Sequence, residues 1–331
     1  MTEKRNDFDP DAYNPTFEWG FLAPKHWGTW FGILLGIPLV FFPQKTKYWL
    51  SCKLAKYALK KPSRTINNAW INFGLCFPEK SDEEKEQLLE KTLTTAVSFL
   101  LNFASLSLRS QKWLTKNTTI HGIDNIHETL EQGHKAILLV PHSWGIDIPA
   151  IYLASQGLPV SAMAKKQKNP VTDWLMHRQR VQYGGRVYER DSGIKPFIKS
   201  VREGYLGYYL PDQDHGREHS IFVDFFNVPK ATLPGLGKLS KVSRAKIIPV
   251  FSNYDAQSGQ FSIDVLPAWQ DYPSKSDHQD TQRMNQFIED AVRKRPEQYM
   301  WVLRFLTTQP DPESTYNPYE DRELWLKTYT R

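Results

Sequence analysis

Ile137-Leu138-Leu139-Val140-Pro141-His142-Ser143-Trp144-Gly145-Ile146-Asp147 decides how this 331-residue chain is read. The short apolar run has the length of a strand buried on both faces. Proline and Gly145 then turn the chain, and Asp147-Ile148-Pro149-Ala150 opens a helix. His142 therefore stands at a strand end, with a carboxylate five residues on. Of the nine histidines, His142 and His219 have an acid at that spacing, Asp147 and Asp224. On a regular helix five residues turn about 500°, and on a strand an odd step points side chains to opposite faces. Such a pair closes only across a strand-to-helix turn. His142 has that setting, whereas His219 adjoins the extended run Ile221-Phe222-Val223-Asp224-Phe225-Phe226.

A neutral imidazole with one nitrogen held by a carboxylate has its tautomer fixed, and the other nitrogen can take a proton from an attacking hydroxyl. His142 as general base and Asp147 as its orienting partner form the first candidate site. The alternative reading is a loop histidine capping a helix.

Outward from this stretch, strands are expected at 135–140, 159–164, 185–189, 205–210, 221–226, 246–251 and 261–266. Helical candidates at 147–155, 171–182, 193–203 and 231–244 lie between several of them, and a longer helical pattern covers 82–118. This alternation predicts an α/β fold, a central and mostly parallel sheet covered by helices. Sites in such folds lie at the carboxyl ends of strands, where His142 falls. No internal repeat is present. Pro310, Pro312 and Pro318 in a polar sequence suggest a flexible tail from 307 to 331.

Residues 27–44 carry no charge and run Trp27-Gly-Thr-Trp-Phe-Gly-Ile-Leu-Leu-Gly-Ile-Pro-Leu-Val-Phe-Phe42. As a helix they span about 27 Å, the lower limit for crossing a bilayer. Pro38 and three glycines leave an in-plane or re-entrant helix open. Trp19, Trp27 and Trp30 on one side, with Phe41, Phe42, Tyr48 and Trp49 on the other, resemble interfacial belts. Residues 45–64 hold seven Lys or Arg and no acid, whereas 1–26 hold five acids. The positive-inside rule puts the C-terminal side in the cytoplasm. The expected organisation is a segment 1–26, an N-terminal single-pass membrane-anchoring helix in 27–44, a main domain 45–306 on the cytoplasmic side and the tail.

The net charge of +6 favours anionic partners, and two cysteines, Cys52 and Cys76, suit a reducing compartment. Between 164 and 190 seven Lys or Arg face Asp173 and Glu189. Beside an apolar anchor this basic surface fits anionic lipid headgroups better than nucleic acid. Arg190, at the end of 185–189, is a candidate phosphate ligand, with pairing to Glu189 or Asp191 as the alternative. His215-Gly216-Arg217-Glu218-His219 matches an inverted zinc-protease pattern, though Gly216 disfavours the helix that pattern needs. A membrane-anchored zinc hydrolase and a non-catalytic membrane scaffold are therefore the competing readings. No Gly-x-Ser-x-Gly elbow or P-loop occurs.

Four blocks follow in order: His142-Ser143-Trp144-Gly145-Ile146-Asp147, Gly185-x-x-Tyr188-x-Arg190, Leu210-Pro211-Asp212 and Ile247-Ile248-Pro249-Val250. They resemble the glycerolipid acyltransferase superfamily. Trp144, where that superfamily usually has serine, and Pro211-Asp212-Gln213, in place of Pro-Glu-Gly, resemble one branch, the late acyltransferases of lipid A biosynthesis. Further marks are Leu75-Cys76-Phe77-Pro78-Glu79, Tyr209-Leu210-Pro211-Asp212-Gln213-Asp214, Lys230-Ala231-Thr232-Leu233-Pro234 and Arg295-Pro296-Glu297-Gln298-Tyr299. His26-Trp27-Gly28 and 193–198 are most similar to the myristoyltransferase type. The resemblance implies transfer of a fatty acyl chain from acyl carrier protein to the hydroxyl of a 3-hydroxyacyl chain on a Kdo-bearing lipid A precursor at the bacterial inner membrane. It implies no cofactor, no metal and no nucleic acid. His142 and Asp147 are then catalytic, Arg190 binds phosphate or donor charge, and Asp212 and Asp214 are supporting residues or turn formers.

Overall fold

A computed structural model describes residues 7, 9–61 and 63–321. The strands are β1 Thr118–His121, β2 Lys135–Leu139, β3 Val160–Ala164, β4 Arg186–Glu189, β5 Leu206–Tyr209, β6 Ile221–Phe225, β7 Val228–Thr232, β8 Ala245–Tyr254 and β9 Phe261–Val265. Seven form one sheet in the order β1-β9-β8-β2-β5-β3-β4. β8, β2, β5, β3 and β4 run parallel, β9 turns back antiparallel to β8, and β1 is parallel to β9. β6 and β7 make a separate hairpin.

The helices are α1 Trp27–Leu39, α2 Gln44–Leu59, α3 Arg64–Cys76, α4 Asp82–Phe103, α5 Ser105–Leu108, α6 Gln111–Lys116, α7 Asp124–Glu131, α8 Ile148–Ser155, α9 Pro170–Arg180, α10 Lys195–Arg202, α11 Gly235–Ser243 and α12 Asp277–Lys294. β2 is the middle strand of the seven. Ile137 and Leu139 enter the core on one side, and Ala136, Leu138 and Val140 enter the core on the other. Residues 137–140 are fully buried. Alternation across a sheet covered on both faces produces the continuous apolar sequence.

The single-pass anchor is corrected. Among the described residues no helix is long and apolar enough to cross a membrane. α1 has 13 residues, about 20 Å at 1.5 Å each, against about 30 Å of hydrocarbon. Pro38 lies in its last turn, the chain turns at 40–43, and α2 begins at Gln44 with Lys45 and Lys47. Yet no residue of α1 is buried. Trp27, Phe31, Leu34 and Leu35 are exposed, as are Trp19, Leu22, Phe41, Phe42 and Trp49 around it. Asn169, at the start of α9, donates to Thr29 Oγ1 (2.8 Å), which ties this apolar surface to the main domain.

The stretch 307–321 has no regular helix or strand, but it is not detached. Tyr319 is buried; its hydroxyl accepts from the backbone N–H of Phe305 and Leu306 and donates to Asn72 Oδ1 (2.6 Å). Residues 322–331 of the expected tail, and 1–6 and 8 of the N-terminal segment, lie outside the described residues.

Candidate active site

β2 and β5 are neighbours in the sheet although some 70 residues separate them in the chain. Val140 extends the pairing by donating to the Tyr209 carbonyl (3.0 Å). The segments leaving the two strand ends, Pro141-His142 and Leu210-Pro211-Asp212, are therefore brought side by side. His142 Nδ1 meets Asp212 Oδ1, and the His142 backbone N–H donates to Asp212 Oδ2 (2.8 Å). Tyr299 also donates to Oδ2 through its hydroxyl (2.8 Å). Burial opposes the charge of Asp212, but the attraction of His142 and these hydrogen bonds outweigh it and hold the carboxyl below its ordinary range. An ionised carboxylate can only accept, so the Nδ1 of His142 carries a proton, and in the neutral imidazole Nε2 is the acceptor. Gln213 Nε2 lies 3.3 Å from that atom.

The carboxylate on His142 is thus Asp212, and the expected pairing with Asp147 is not what the structure places there. Asp147 binds Arg180, which donates from Nε to Oδ1 (2.9 Å) and from Nη2 to Oδ2 (3.4 Å). The attraction of Asp147, against the opposing effect of burial, raises the Arg180 pKa still further. Asp147 is the residue preceding α8 and gives its side chain to Arg180 rather than to the helix N-terminus.

His142, Asp147, Arg180 and Arg190 line one cavity of about 1130 Å³. Its walls also carry Lys165, Arg186 and Lys238, of which Arg186 is paired with Asp9 (3.2 Å) and Glu203 (2.5 Å) and Lys238 with Asp277 (3.4 Å); the acids in the lining are Asp147 and Asp191. The remaining lining is largely aliphatic, including Val160, Met163, Leu210, Leu233, Val242 and Met300. Arg190 follows β4, is exposed, and lies 3.7 Å from Asp191, so the cavity wall and the local ion pair coexist. Asp214 turns away. It accepts from the N–H of Gly216 (2.9 Å) and Thr308 (2.7 Å) and from Thr308 Oγ1 (2.8 Å), stapling its loop to the C-terminal segment.

His215 and His219 reach the cavity wall, but residues 215–219 are irregular, with a turn at 218–219 and Gly216 at φ +80°, not the helix that the zinc pattern needs. Among the described residues no three His, Cys, Asp or Glu are grouped to hold a metal. Burial pushes the pKa of the fully buried Lys230 down to about 8, with the charges of Asp212 and Asp214 opposing the shift. Arg180, Gln213 and Tyr299 were not singled out by the sequence reading. Arg180 falls within the basic stretch, Gln213 adjoins Asp212, and Tyr299 ends the Arg295-Pro296-Glu297-Gln298-Tyr299 mark, so each had a signal without a role.

A mostly parallel sheet that presents a carboxylate-held histidine to a cavity part basic and part aliphatic has the features of an enzyme site. The family model described as bacterial lipid A biosynthesis acyltransferase matches residues 14–308, and the chain belongs to this family of acyltransferases. It is 40% identical over 325 residues to the lipid A biosynthesis myristoyltransferase of Escherichia coli (strain K12), covering 98% of this chain and 99% of that one. A lipid A biosynthesis acyltransferase of Haemophilus influenzae (strain ATCC 51907 / DSM 11121 / KW20 / Rd) is 38% identical over 306 residues, 92% of this chain and 96% of its own. The lipid A biosynthesis lauroyltransferase of E. coli K12 is 27% identical over 298 residues, 90% and 97% of the two chains. The chain is thus a late lipid A acyltransferase of the myristoyltransferase-like kind.

Proposed function

We propose that the enzyme moves a fatty acyl chain from an acyl carrier protein thioester to the hydroxyl of a 3-hydroxyacyl chain on a Kdo-bearing lipid A precursor. The observation that carries this reading is His142 in the wall of a cavity both basic and aliphatic, with Nδ1 held by Asp212 and Nε2 left as the acceptor, 3.3 Å from Gln213 Nε2. His142 takes the proton as the acceptor oxygen attacks the thioester carbonyl. The C–S bond then breaks, and the imidazolium returns the proton to the departing thiolate. Asp212 fixes the tautomer and stabilises the imidazolium. Asp147 serves the site by holding Arg180 toward the cavity, where Arg180 and Arg190 supply charge for phosphate or for the acidic donor. The sequence of steps needs no covalent acyl-enzyme.

The test offers the wild-type enzyme a panel of acyl carrier protein and coenzyme A thioesters, with under-acylated lipid A precursors bearing or lacking Kdo, and reads products by mass spectrometry. A single added chain from the carrier protein, on the Kdo-bearing acceptor, is expected. Equal use of coenzyme A thioesters removes the donor assignment, and equal use of the Kdo-free acceptor removes that of the acceptor.

The apolar surface around α1 supports an interfacial placement at the inner membrane, with α1 lying in the headgroup region and the basic α2 beside it. Burying one leucine is worth about 1.5–3 kcal/mol, so Leu35→Asp is expected to weaken binding to anionic phospholipid vesicles by on the order of tenfold or more. Sedimentation of the variant to the same extent as wild type would remove the placement of α1.

A further inference from the structure

We infer that Tyr299 is a positioning residue of this site: its hydroxyl, together with a backbone clamp formed by residues 298–300, holds the Asp212–His142 pair in register. The inference rests on the reading of His142 as the base.

Three observations converge on this segment. The Tyr299 hydroxyl donates to Asp212 Oδ2 (2.8 Å), the oxygen that also receives the His142 backbone N–H, while the other oxygen faces the imidazole. The same stretch runs antiparallel to the histidine loop. Met300 donates to the His142 carbonyl (2.8 Å) and Trp144 donates to the Gln298 carbonyl (2.9 Å), bracketing a bridge between Ser143 and Tyr299. The ring itself is immobilised, for Tyr299 is fully buried, stacked on Phe305 at 4.8 Å and edge-on to Trp301 at 5.0 Å.

A carboxylate with two oxygens can swing about its own axis and offer either one to the imidazole. With Oδ2 committed to two fixed donors, only Oδ1 is free for Nδ1, and the ring plane follows. Burial, then the charge of Asp212, keeps the phenol protonated far above neutral pH, so it remains a donor throughout any assay range. Tyr299 does not reach the cavity wall, whereas Met300 does. Its influence on substrate therefore passes through Asp212 and His142, which separates it from a binding residue.

Charge-assisted hydrogen bonds in dry surroundings are the strong ones. Tyr299→Phe, which keeps the ring and its stacking, is therefore expected to lower kcat by about tenfold with KM for both substrates unchanged. In an Asp212→Asn background the same substitution is expected to cost nothing further, because the carboxylate through which it acts is gone. A kcat equal to wild type, or an undiminished loss in the Asp212→Asn background, overturns the inference. His142→Ala run in parallel separates the two readings. If it stays active, the base assignment has failed; if it is inactive while Tyr299→Phe matches wild type, only the role of Tyr299 has failed. Should the Phe variant not fold, 3-fluorotyrosine at 299 takes its place, keeping the shape while making a stronger donor. An altered kcat at unchanged KM then supports the role, and an unaltered one overturns it.

Discussion

His142→Ala is expected to lower acyl transfer by about 10² to 10⁴, the range that a positioned proton acceptor contributes. Asp212→Asn should fall within the same range although His142 is still present. An amide at Asp212 can offer its N–H to Nδ1, which then becomes the acceptor and puts the proton on Nε2, where the hydroxyl needs a base. Asp147→Asn provides the contrast. It leaves the histidine and its partner untouched and removes the two hydrogen bonds by which Asp147 holds Arg180 in the cavity wall. The expected result is a raised KM for the anionic substrate with kcat lowered far less than in Asp212→Asn. Initial rates over both substrate concentrations, on variants with wild-type circular dichroism, distinguish the patterns. Asp147→Asn matching Asp212→Asn in kcat would return the orienting role to Asp147; Asp212→Asn at wild-type rate would remove Asp212 from the mechanism.

The unequal legibility of these two carboxylates has a physical cause. Asp147 is close to His142 in sequence, and a local pattern can see it. Asp212 becomes a neighbour only because β5 lies next to β2, and strand order is not written in any short stretch. The strand itself was legible, since a sheet covered on both faces demands uninterrupted apolar residues and 137–140 supply them. All seven strands anticipated from alternation are present, including β3, β4 and β5 around the site. β1 was not seen, being an edge strand of four residues with Ile120 as its one strongly apolar member. β7 was hidden by its turn. Phe226 and Asn227 both take positive φ, 53° and 59°, the conformation of a tight hairpin that usually calls for glycine. Phe226 accepts it because its ring is buried against Phe77 and Trp301 and its N–H donates to Glu289 (2.6 Å), so tertiary contacts override local preference. The helical candidate at 231–244 consequently began too early, where Ala231 and Thr232 still belong to β7. α12 had a readable signal that went unused, with Met284, Ile288 and Val292 at four-residue spacing and all buried. The anchor reading erred in the other direction. Absence of charge over 27–44 was real, but Pro38 and the turn before Gln44 divide the stretch, and an uncharged run is not by itself a continuous helix.

Trp301→Ala is expected to destabilise the fold by about 3–5 kcal/mol, the range for removing a fully buried large aromatic side chain. Trp301 is fully buried, with ring centroids of Phe73 at 5.3 Å, Phe77 at 5.5 Å, Phe226 at 5.8 Å and Tyr299 at 5.0 Å. Its indole N–H donates to the Pro296 carbonyl (2.7 Å), which the alanine variant leaves without that donor. The neighbours cannot close the space freely, because Phe226 is held by its hairpin and Phe73 and Phe77 belong to α3 and its end. Urea denaturation should show the loss as a lower midpoint with little change in slope. Activity per folded molecule should fall as well, since the vacated space lies against Tyr299 and so against Asp212. The exposed Trp19 is the matched control. It is 82% exposed, so Trp19→Ala should change stability by less than about 0.5 kcal/mol. Trp301 belongs to an aromatic cluster that packs against Tyr299, whereas Trp19 is among the aromatic side chains that face outward around α1. A Trp301→Ala midpoint indistinguishable from that of Trp19→Ala would mean the aromatic cluster does not stabilise the fold.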